Sequence, residues 1–556
     1  MNKKTLSILI LLCFFGFIIR VWKLGSFPPS LNWDEASWGY NAYSILKTGR
    51  DEYGSFMPLI FKAFGDYKSA LLVYLTVPSI AIFGLTEFAV RFPSVVFGVL
   101  NVFLIFFLVK ELFKDFFDKE KIALLASLVM AFSPWQIHFS RGAWEFNILL
   151  FILMMAILLL LQVDKANIKK LYSSAFAFGL CFYVYTSAKL LIPLIIFGLI
   201  VFNFSEIKIL KIKNIVLSLL IISLMVFPIF IYTFWGGAGG RLKIMSVFSY
   251  PMSASEEKTI KSEESGNFEI QEFNLFHNDF VYYGRGILGR YLNHFSPKFL
   301  FFEGDWTNLR HGVLTFGQMN HLDILLLPMG IYFLITRKIR KKLFIGYLLF
   351  IMPLPSVLTR DIIQAGRSFF MVLPLVIISS CGIYLLFHFF NKLKAIRIPV
   401  IICVTCLYFF SFLFYLDQFF VHAPIQHSEF WLYGYKQAVE YTKSIKDNYN
   451  RVIFTSKYGQ PYIYWLFYTK YDPGIYQQQA HLIEDQNGDV GSVEKIDKIE
   501  FRPLYWPSDR YLKKTLFIGA TYEIPSGDVI PNEARILKTI NFLNSNPAFI
   551  IAETLE

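Results

Sequence analysis

Long apolar runs recur along this 556-residue chain from its first residues to about residue 418, and then they stop. A run of this kind predicts a membrane-spanning helix, which needs about 20 apolar residues, with about 17 tolerated. Only 17% of the residues are charged, whereas soluble domains have about a quarter. The chain is therefore an integral membrane protein with many transmembrane helices, and not a soluble enzyme with a hydrophobic core.

The apolar runs predict about eleven transmembrane helices. They lie near residues 4–22, 92–110, 121–137, 146–162, 171–186, 189–204, 214–233, 321–336, 343–358, 368–387 and 398–418. No small-residue cleavage site follows the first run, where Trp22 and Lys23 stand instead, so we interpret it as a retained helix. A further apolar stretch, residues 69–84, is short and contains Pro78 near its middle.

Whether residues 69–84 span the membrane decides the sidedness of everything after them. If they do not, the basic loops all fall on the side of Lys3 and Lys4; these loops are residues 110–121, 164–170, 208–213, 337–342 and 391–397. The positive-inside rule favours this arrangement, in which residues 69–84 lie in or re-enter the outer leaflet. It predicts a multi-pass plasma-membrane protein with a cytoplasmic N-terminus. The clustered lysines also account for the net charge of +12 without a nucleic-acid partner.

This topology places four segments outside the membrane: residues 23–91, 133–147, 236–320 and 355–367. Chemistry is expected there, because irregular backbone at membrane depth is tolerated only against protein or water. The first segment contains Asp34 and Glu35, a costly carboxylate pair at a membrane boundary. Asp34 suits a general base that takes a proton from a hydroxyl, and it equally suits a helix N-cap.

Cations and further ionisable groups occupy the same outer segments. Lys68 either snorkels from a helix end or meets an anionic headgroup. Arg91 follows Glu87 by four residues, which favours an ion pair between them. The remaining candidates are Arg141 and Glu145 in the second segment, His294, Asp305, Arg310 and His311 in the third, and Arg360, Asp361 and Arg367 in the fourth.

Carboxylates and cations on one face suggest a substrate that is anionic and membrane-embedded. A polyprenyl-phosphate sugar fits, because its tail needs lipid, its phosphate needs Lys or Arg, and transfer of its sugar needs a base. No glycine-rich phosphate loop follows a strand and precedes a helix, so no nucleotide site is expected. A lipid-borne donor would let an outward-facing enzyme work without nucleotide sugars.

The order and spacing of these motifs resemble glycosyltransferase family 39, the bacterial protein mannosyltransferase and aminoarabinose transferase superfamily with the GT-C fold. The matching residues are Asp34-Glu35, Gly65-Asp66-Tyr67-Lys68, Gly84 with Arg91-Phe92-Pro93-Ser94, Ser133-Pro134, Ser140-Arg141 to Glu145, and Arg360 to Arg367. The resemblance covers residues 1–420 and is strongest over the first 150. It departs from the family at Ser69-Ala70, where a proline pair is common, and at Gln364-Ala365, where a histidine is expected before the arginine.

The resemblance implies an inverting hexosyl- or pentosyltransferase that moves a sugar from a polyprenyl phosphate to a hydroxyl or phosphate of a glycan, lipid or protein. It implies that Asp34 is the general base and that Glu35 holds the geometry. Glu145 would be the second acidic residue, and Lys68 and Arg367, joined by Arg141, would bind the donor phosphate. His294, Asp305, Arg310 and His311 are candidate substrate contacts. No cofactor and no obligatory metal are expected, since the histidines have no ligand spacing.

Residues 421–556 are predicted as a soluble extracytoplasmic α/β domain that follows the transmembrane module of residues 1–420. Helices are expected near 431–446 and 461–468, and strands near 451–456, 515–520 and 548–552. The aromatic residues of the second helix suit a packed core better than a sugar site. Two other functions remain open: a flippase or transporter of lipid-linked glycans, and a polysaccharide polymerase. A transporter would carry ionisable residues near the bilayer midplane, whereas here they cluster at the outer boundary.

Overall fold

The computed structural model of the chain describes residues 1–164, 167–208, 210–235, 244–265, 275–390, 397–484 and 490–555. Helices and a short hairpin form the part before residue 427. Its first elements are α1 (Lys3–Val21), α2 (Trp33–Thr48), β1 (Ile60–Ala63), β2 (Asp66–Ser69), α3 (Leu71–Phe83), α4 (Glu87–Leu112), α5 (Lys119–Phe132), α6 (Pro134–Arg141), α7 (Phe146–Leu161), α8 (Lys169–Cys181), α9 (Ala188–Phe202), α10 (Phe204–Ile207) and α11 (Ile212–Phe234). The later helices are α12 (Ala254–Ser265), α13 (Asp279–Asn293), α14 (Asp323–Thr336), α15 (Lys342–Ile351), α16 (Leu354–Val357), α17 (Val372–Phe390), α18 (Arg397–Asp417) and α19 (Ala423–Gln426).

Among the described residues, five helices are long and apolar enough to cross a membrane. They are Lys3–Val21, Glu87–Leu112, Ile212–Phe234, Phe369–Phe390 and Arg397–Gln426, and the bent pair α5–α6 makes a sixth if it counts as one span. Shorter apolar helices are Leu71–Phe83, Phe146–Leu161, Ala188–Phe202, Asp323–Thr336 and Lys342–Val357. Helices occupy each of the eleven predicted apolar runs, but the count of eleven spans stays a prediction, because several of these helices are too short to settle it.

The run at 121–137 is not one straight helix. Helix α5 ends at Phe132, and the chain then bends by 52°. Helix α6 follows, within residues 133–147, which the sequence predicts as an outer turn. Proline disfavours helical geometry in the residue before it, so the break falls at Ser133, immediately before Pro134. The Ser133 hydroxyl accepts a hydrogen bond from the Gln136 N–H and so caps α6.

Residues 69–84 contain α3, a helix of 13 residues that is about 20 Å long. The hydrocarbon core of a bilayer is about 30 Å thick, so α3 is short for a span. The hairpin β1–β2 precedes it, with Phe61 opposite Lys68 in an antiparallel register. The backbone N–H of Leu71 donates to the Tyr183 carbonyl in the turn between α8 and α9, which fixes the start of α3 against that turn.

Several predicted basic loops meet in the folded chain. The N-terminal ammonium lies 4.0 Å from Glu120, which also accepts from Lys110 at 2.5 Å. Tyr384, near the end of α17, donates to Asp118 at 2.6 Å. Farther along, Glu206 pairs with Arg340 at 2.7 Å. These contacts agree with loops that share one side; the loop at 391–397 lies almost wholly outside the described residues.

Residues 427–555 contain a six-stranded mixed sheet with helices against it. Its strand order is β6 (Lys495–Ile496), β7 (Ile499–Phe501), β3 (Arg451–Phe454), β8 (Thr515–Gly519), β10 (Pro547–Thr554) and β9 (Ala534–Asn541). Strand β3 pairs in parallel with β7 and β8, and the other pairs are antiparallel. A two-stranded ribbon joins β4 (Leu482–Ile483) to β5 (Ser492–Val493), and the helices are α20 (Tyr435–Ile445), α21 (Pro461–Thr469), α22 (Pro473–Gln479) and α23 (Trp506–Asp509).

The helix α21 packs between this sheet and the first loop of the membrane part. The ring of Tyr464 stacks on that of Tyr435 with centroids 4.1 Å apart, and its hydroxyl donates to the Leu31 carbonyl at 3.1 Å. The hydroxyl of Tyr462 lies 3.1 Å from that of Tyr53. The aromatic residues of α21 are thus packed, as the sequence favours, and some of their contacts are with α2 and its flanking residues. We call residues 427–555 the C-terminal segment below.

Candidate active site

The first turn of α2 carries both predicted carboxylates. Asn32 caps this helix: its side-chain oxygen accepts from the Glu35 N–H at 3.0 Å, and its own N–H donates to Glu35 Oε2 at 3.1 Å. This reciprocal capping box satisfies two backbone donors at the helix start. The alternative that Asp34 is the N-cap is therefore wrong, and its carboxylate is available for another role.

Glu35 is fully buried and joins three parts of the chain. Its Oε1 accepts from Arg91 Nε at 2.9 Å and from the Ala143 N–H at 2.8 Å, and its Oε2 accepts from Arg91 Nη2 at 3.2 Å. The remaining guanidinium donors bind the carbonyls of Leu24, Pro28 and Ser30. A buried ion pair needs such complete satisfaction, since desolvation is costly. Glu35 thus holds α2 against α4 and against the turn after α6.

The predicted pair between Glu87 and Arg91 does not form. Arg91 faces the interior of the bundle, while Glu87, one turn earlier at the start of α4, accepts from Lys436 of the C-terminal segment at 2.8 Å. The spacing of four residues allowed the local pair, but the buried Glu35 carboxylate offers Arg91 a less hydrated partner.

Asp34 forms an ion pair with Lys68, which lies on the second strand of the hairpin. The Asp34 side chain is 33% exposed, whereas the Lys68 side chain is only 9% exposed. The Lys68 ammonium also lies 5.3 Å from the Trp38 ring centroid and 5.2 Å from that of Phe64. Burial therefore lowers the pKa of Lys68, an effect that the charge of Glu145 opposes.

Glu145 lies directly before α7 and is 6% exposed. Burial raises the pKa of its carboxyl group, and the nearby Lys68 ammonium opposes that shift. Glu145 and Asp34 therefore flank one lysine, from two elements more than 100 residues apart in sequence. The site holds two carboxylates with different environments, one partly exposed and one buried.

The third outer segment contributes Arg310 to the same region. Its guanidinium carbon lies 5.1 Å from the ring centroid of Trp33, the residue before Asp34, and its positive charge opposes protonation of Lys68. Asp305 instead organises its own loop, because it accepts from the N–H groups of Asn308 at 3.0 Å and Ala365 at 2.8 Å. His311 Nδ1 lies 3.5 Å from Asp305 Oδ2.

Arg367 reaches the site from the fourth outer segment. It pairs with Asp361 and donates to Thr359 Oγ1 at 2.9 Å, with its side chain 15% exposed. Tyr185, in the turn between α8 and α9, lies close enough to interact electrostatically with both Arg367 and Glu145. Tyr185 was missed in the sequence; the only signal there was a polar break between two apolar runs.

Two predicted site residues are engaged in structural contacts. Arg141 is fully buried and donates to four backbone carbonyls, those of Ile19, Arg20, Trp22 and Phe27. These bonds hold the turn after α1 and engage both Nη atoms of the guanidinium. His294 is also buried, bonded to the Arg290 carbonyl at 2.7 Å and to Ser356 Oγ at 2.8 Å.

A metal site has no support in the part of the chain that the structure describes. No group of three or more His, Cys, Asp or Glu side chains lies close enough to hold an ion there. Whether the reaction uses a divalent metal stays a prediction from the sequence.

Comparison with known proteins places this geometry in a fold class. The family model described as dolichyl-phosphate-mannose-protein mannosyltransferase matches residues 68–232. A search of curated protein sequences found no match. Among solved structures, ArnT from Cupriavidus metallidurans in the apo state has a TM-score of 0.52 at 10% identity, with 99% of this chain and 97% of that chain covered. ArnT bound to undecaprenyl phosphate gives a TM-score of 0.52 at 10% identity, over 98% and 97% of the two chains.

The archaeal oligosaccharyltransferase AglB from Archaeoglobus fulgidus, in complex with an inhibitory peptide and a dolichol-phosphate, has a TM-score of 0.51 at 12% identity. The match covers 84% of this chain and 63% of the archaeal one, so this chain spans less than two thirds of that protein. At these identities the matches establish the fold alone. Together with the family match they confirm the GT-C fold that is expected from the sequence.

Proposed function

We propose, from the GT-C fold, that this chain is a membrane glycosyltransferase that moves a sugar from a polyprenyl-phosphate donor to an acceptor on the outer face of the membrane. Three comparisons support a lipid-phosphate donor: the matched family is described by a dolichyl-phosphate sugar, and the two solved relatives hold undecaprenyl phosphate and dolichol-phosphate. The acceptor is a hydroxyl or phosphate of a glycan, lipid or protein.

The observation that carries this proposal is the ion pair between Asp34 and Lys68. A partly exposed carboxylate and a buried ammonium are held at the junction between the helical bundle and the C-terminal segment. Glu145 and Arg310 lie around the same lysine. This is the charge set that sugar transfer from a lipid phosphate requires, with a base for the acceptor and cations for the leaving group.

The proposed reaction with a hydroxyl acceptor is a single inverting displacement. The Asp34 carboxylate takes the proton of the acceptor hydroxyl, and the hydroxyl oxygen forms a bond to the anomeric carbon of the donor. The bond from that carbon to the phosphate oxygen breaks, and its electron pair leaves with the polyprenyl phosphate. Lys68 and Arg367 neutralise the charge that develops there, which stabilises the transition state.

Donor binding changes the partners of Lys68 in this scheme. In the structure its ammonium pairs with Asp34. When the donor phosphate enters, Lys68 turns toward it. The released Asp34 carboxylate then accepts a hydrogen bond from the hydroxyl group of the acceptor. Before the donor binds, the base and the cation of the reaction neutralise each other in this ion pair. Pairing lowers the cost of burying both charges in a low-dielectric site.

The sequence pattern assigns the membrane topology within this proposal. The N-terminus and basic loops are cytoplasmic, and residues 23–91, 133–147, 236–320, 355–367 and the C-terminal segment are extracytoplasmic. Asp34, Lys68, Glu145, Arg310 and Arg367 all lie in the outer segments. A polyprenyl chain then enters from the outer leaflet, with its phosphate at the membrane boundary.

The experiment that tests the function is transfer of radiolabelled sugar from a panel of polyprenyl-phosphate sugars by the purified protein. Wild type is compared with Asp34→Asn and with Asp447→Asn, a control whose carboxylate is 80% exposed. We expect transfer by wild type and control, and a loss of about 100-fold or more in Asp34→Asn. An unchanged rate in folded Asp34→Asn would refute the assignment of the base. If no protein transfers sugar but wild type moves lipid-linked glycan across vesicles, the chain is a transporter.

A further inference from the structure

Trp33 is the first residue of α2 and directly precedes Asp34. Its ring lies against Gly459, in the loop between β3 and α21. A Cβ atom added at Gly459 would lie 2.7 Å from Trp33 Cε3 and 2.8 Å from Cζ3, distances that no real Cβ contact tolerates. Gly459 also has φ = +114°, a conformation that only glycine adopts readily. The loop therefore approaches the ring more closely than a residue with a side chain could.

Arg310 contacts the same ring with its guanidinium group, at 5.1 Å from the centroid. Arg310 is itself anchored, because its backbone carbonyl accepts from His138 Nε2 at 2.8 Å. Trp33 is thus held by a residue from the third outer segment and by one from the C-terminal segment. Because two distant parts of the chain already hold the Trp33 ring, its side chain has little conformational freedom left to lose during a reaction.

The C-terminal segment also contacts the hairpin that carries Lys68. The Gly491 N–H donates to the Phe64 carbonyl at 2.6 Å, and the Gln460 side chain donates to the Gly491 carbonyl at 2.9 Å. Phe64 in turn packs against the Lys68 ammonium. Gly459 and Gln460 are neighbours in sequence, so one loop is connected both to the Asp34 side and to the Lys68 side of the ion pair.

We propose that the loop at Gly459 is a positioning device, which sets the placement of the Asp34 carboxylate relative to Lys68 by holding Trp33. The inference rests on the proposed function, since it concerns the same base and the same cation. Gly459 touches no reacting atom in this scheme and acts through Trp33. The C-terminal segment is then a working part of the site and not an appendage of the membrane module.

A side chain at position 459 would push the Trp33 ring, and α2 would move its first turn with it. Misplacement of a catalytic group by about 1 Å can cost about 100-fold in rate. The donor phosphate, by contrast, is bound by Lys68 and Arg367. We therefore expect Gly459→Ala to lower kcat by about 10- to 100-fold while the KM for the donor changes by less than about threefold.

The test compares Gly459→Ala with Gly527→Ala in the full-length protein. Gly527 lies in the same segment, and a Cβ there would meet no atom within 4 Å. The clashing atoms belong to the six-membered part of the indole, so Trp33→Phe removes the clash with the ring, while the backbone strain of alanine at φ = +114° is the same in the single and the double variant. We expect the double variant Trp33→Phe/Gly459→Ala to be no slower than Trp33→Phe alone by more than about threefold. Trp33→Ala, which removes the held ring without straining residue 459, should lower kcat like Gly459→Ala.

The outcomes separate this inference from the proposed function. If Asp34→Asn abolishes transfer while Gly459→Ala and Trp33→Ala keep the wild-type kcat, the function stands and the positioning role is refuted. If both variants lower kcat and raise the donor KM to a similar extent, with a matching fall in thermal unfolding temperature, the contact is structural only and the inference fails. If Asp34→Asn keeps its rate, the proposed function fails first.

Discussion

Glu35 and Arg91 form an ion pair in which neither side chain has any exposed surface, with Arg91 Nε 2.9 Å from Glu35 Oε1. The carboxylate accepts a further bond from the backbone at Ala143, and the guanidinium satisfies three carbonyls of the loop after α1. The pair therefore joins the segments on which Asp34, Arg141 and Glu145 are found. It is the framework of the candidate active site, and Asp34, the residue before Glu35, is the proposed base.

Glu35→Gln should destabilise the protein strongly. Removal of one partner leaves the buried Arg91 charge uncompensated, which costs about 3–5 kcal/mol. Glu87→Gln is the matched control, because its partner Lys436 is 43% exposed and such a pair contributes about 1 kcal/mol or less. Denaturant unfolding of both variants in the same detergent measures the difference. Equal stability of the two variants would contradict the structural role of Glu35.

Lys68→Met should abolish transfer and Lys68→Arg should retain part of it. Methionine has a similar length but no charge to place against the departing phosphate, whereas arginine keeps the charge. We expect a loss of about 100-fold in kcat/KM for Lys68→Met. The control is Lys62→Met, in the same hairpin, whose lysine pairs with Glu484, the residue after β4 in the C-terminal segment. Loss of activity in the control alone would place the phosphate site elsewhere.

As the pH rises, activity should begin to fall at a pH that is lower than the ordinary pKa of lysine. Burial lowers the pKa of Lys68, so its ammonium loses its proton earlier than an exposed lysine does. Only the protonated form neutralises the phosphate, and the alkaline limb of the kcat/KM profile therefore reports Lys68. In Lys68→Arg the limb should move to higher pH, because a guanidinium stays charged throughout this range. An unmoved limb would assign it to another group.

Stability should depend on pH through Glu52, which is fully buried and bonded to Asn41 at 2.9 Å. Burial raises the pKa of Glu52 to about 8, above its ordinary value of 4.5. The folded chain then holds a proton that the unfolded chain has released. The contribution of Glu52 is complete below pH 4.5 and is lost as the pH rises toward 8, by at most about 1.4 kcal/mol per pH unit. Glu52→Gln should flatten this slope in unfolding midpoints measured from pH 5 to 8. A slope that persists in the variant would exclude Glu52 as its source.

Arg367 and Arg141 should respond differently to substitution. Arg367→Met removes a partly exposed guanidinium, and the donor KM should rise by about tenfold or more. Arg141→Lys loses several of its four carbonyl contacts, so the unfolding free energy should fall by about 2 kcal/mol while the donor KM stays constant. Donor titrations and unfolding curves of the two purified variants measure both quantities. A raised donor KM in stable Arg141→Lys would restore Arg141 to the phosphate site.

Much of the site was predicted from the sequence because charge is conspicuous in an apolar chain. Asp34, Lys68, Glu145 and Arg310 were all selected on that ground, and the structure brings them near one another. Partner choice was not predictable. Glu87 and Arg91 have the spacing of a local pair, yet each binds a residue from another part of the chain. Arg141 is predicted to bind the donor phosphate, and its guanidinium also donates to backbone carbonyls that only the folded bundle brings together, which the sequence does not predict.

A helical membrane protein whose ionisable residues gather between apolar runs could be predicted from the sequence alone. Those properties are local, since the transfer of a segment from water to lipid depends on the composition of that segment alone. The folded chain was needed to show which carboxylate pairs with which cation and where the helix at 121–137 changes direction. It also shows that Gly459 contacts Trp33, more than 400 residues away in sequence. Such contacts depend on the simultaneous burial of distant groups. Because an unpaired buried polar group is costly, each one pairs with the partner that the whole fold places beside it.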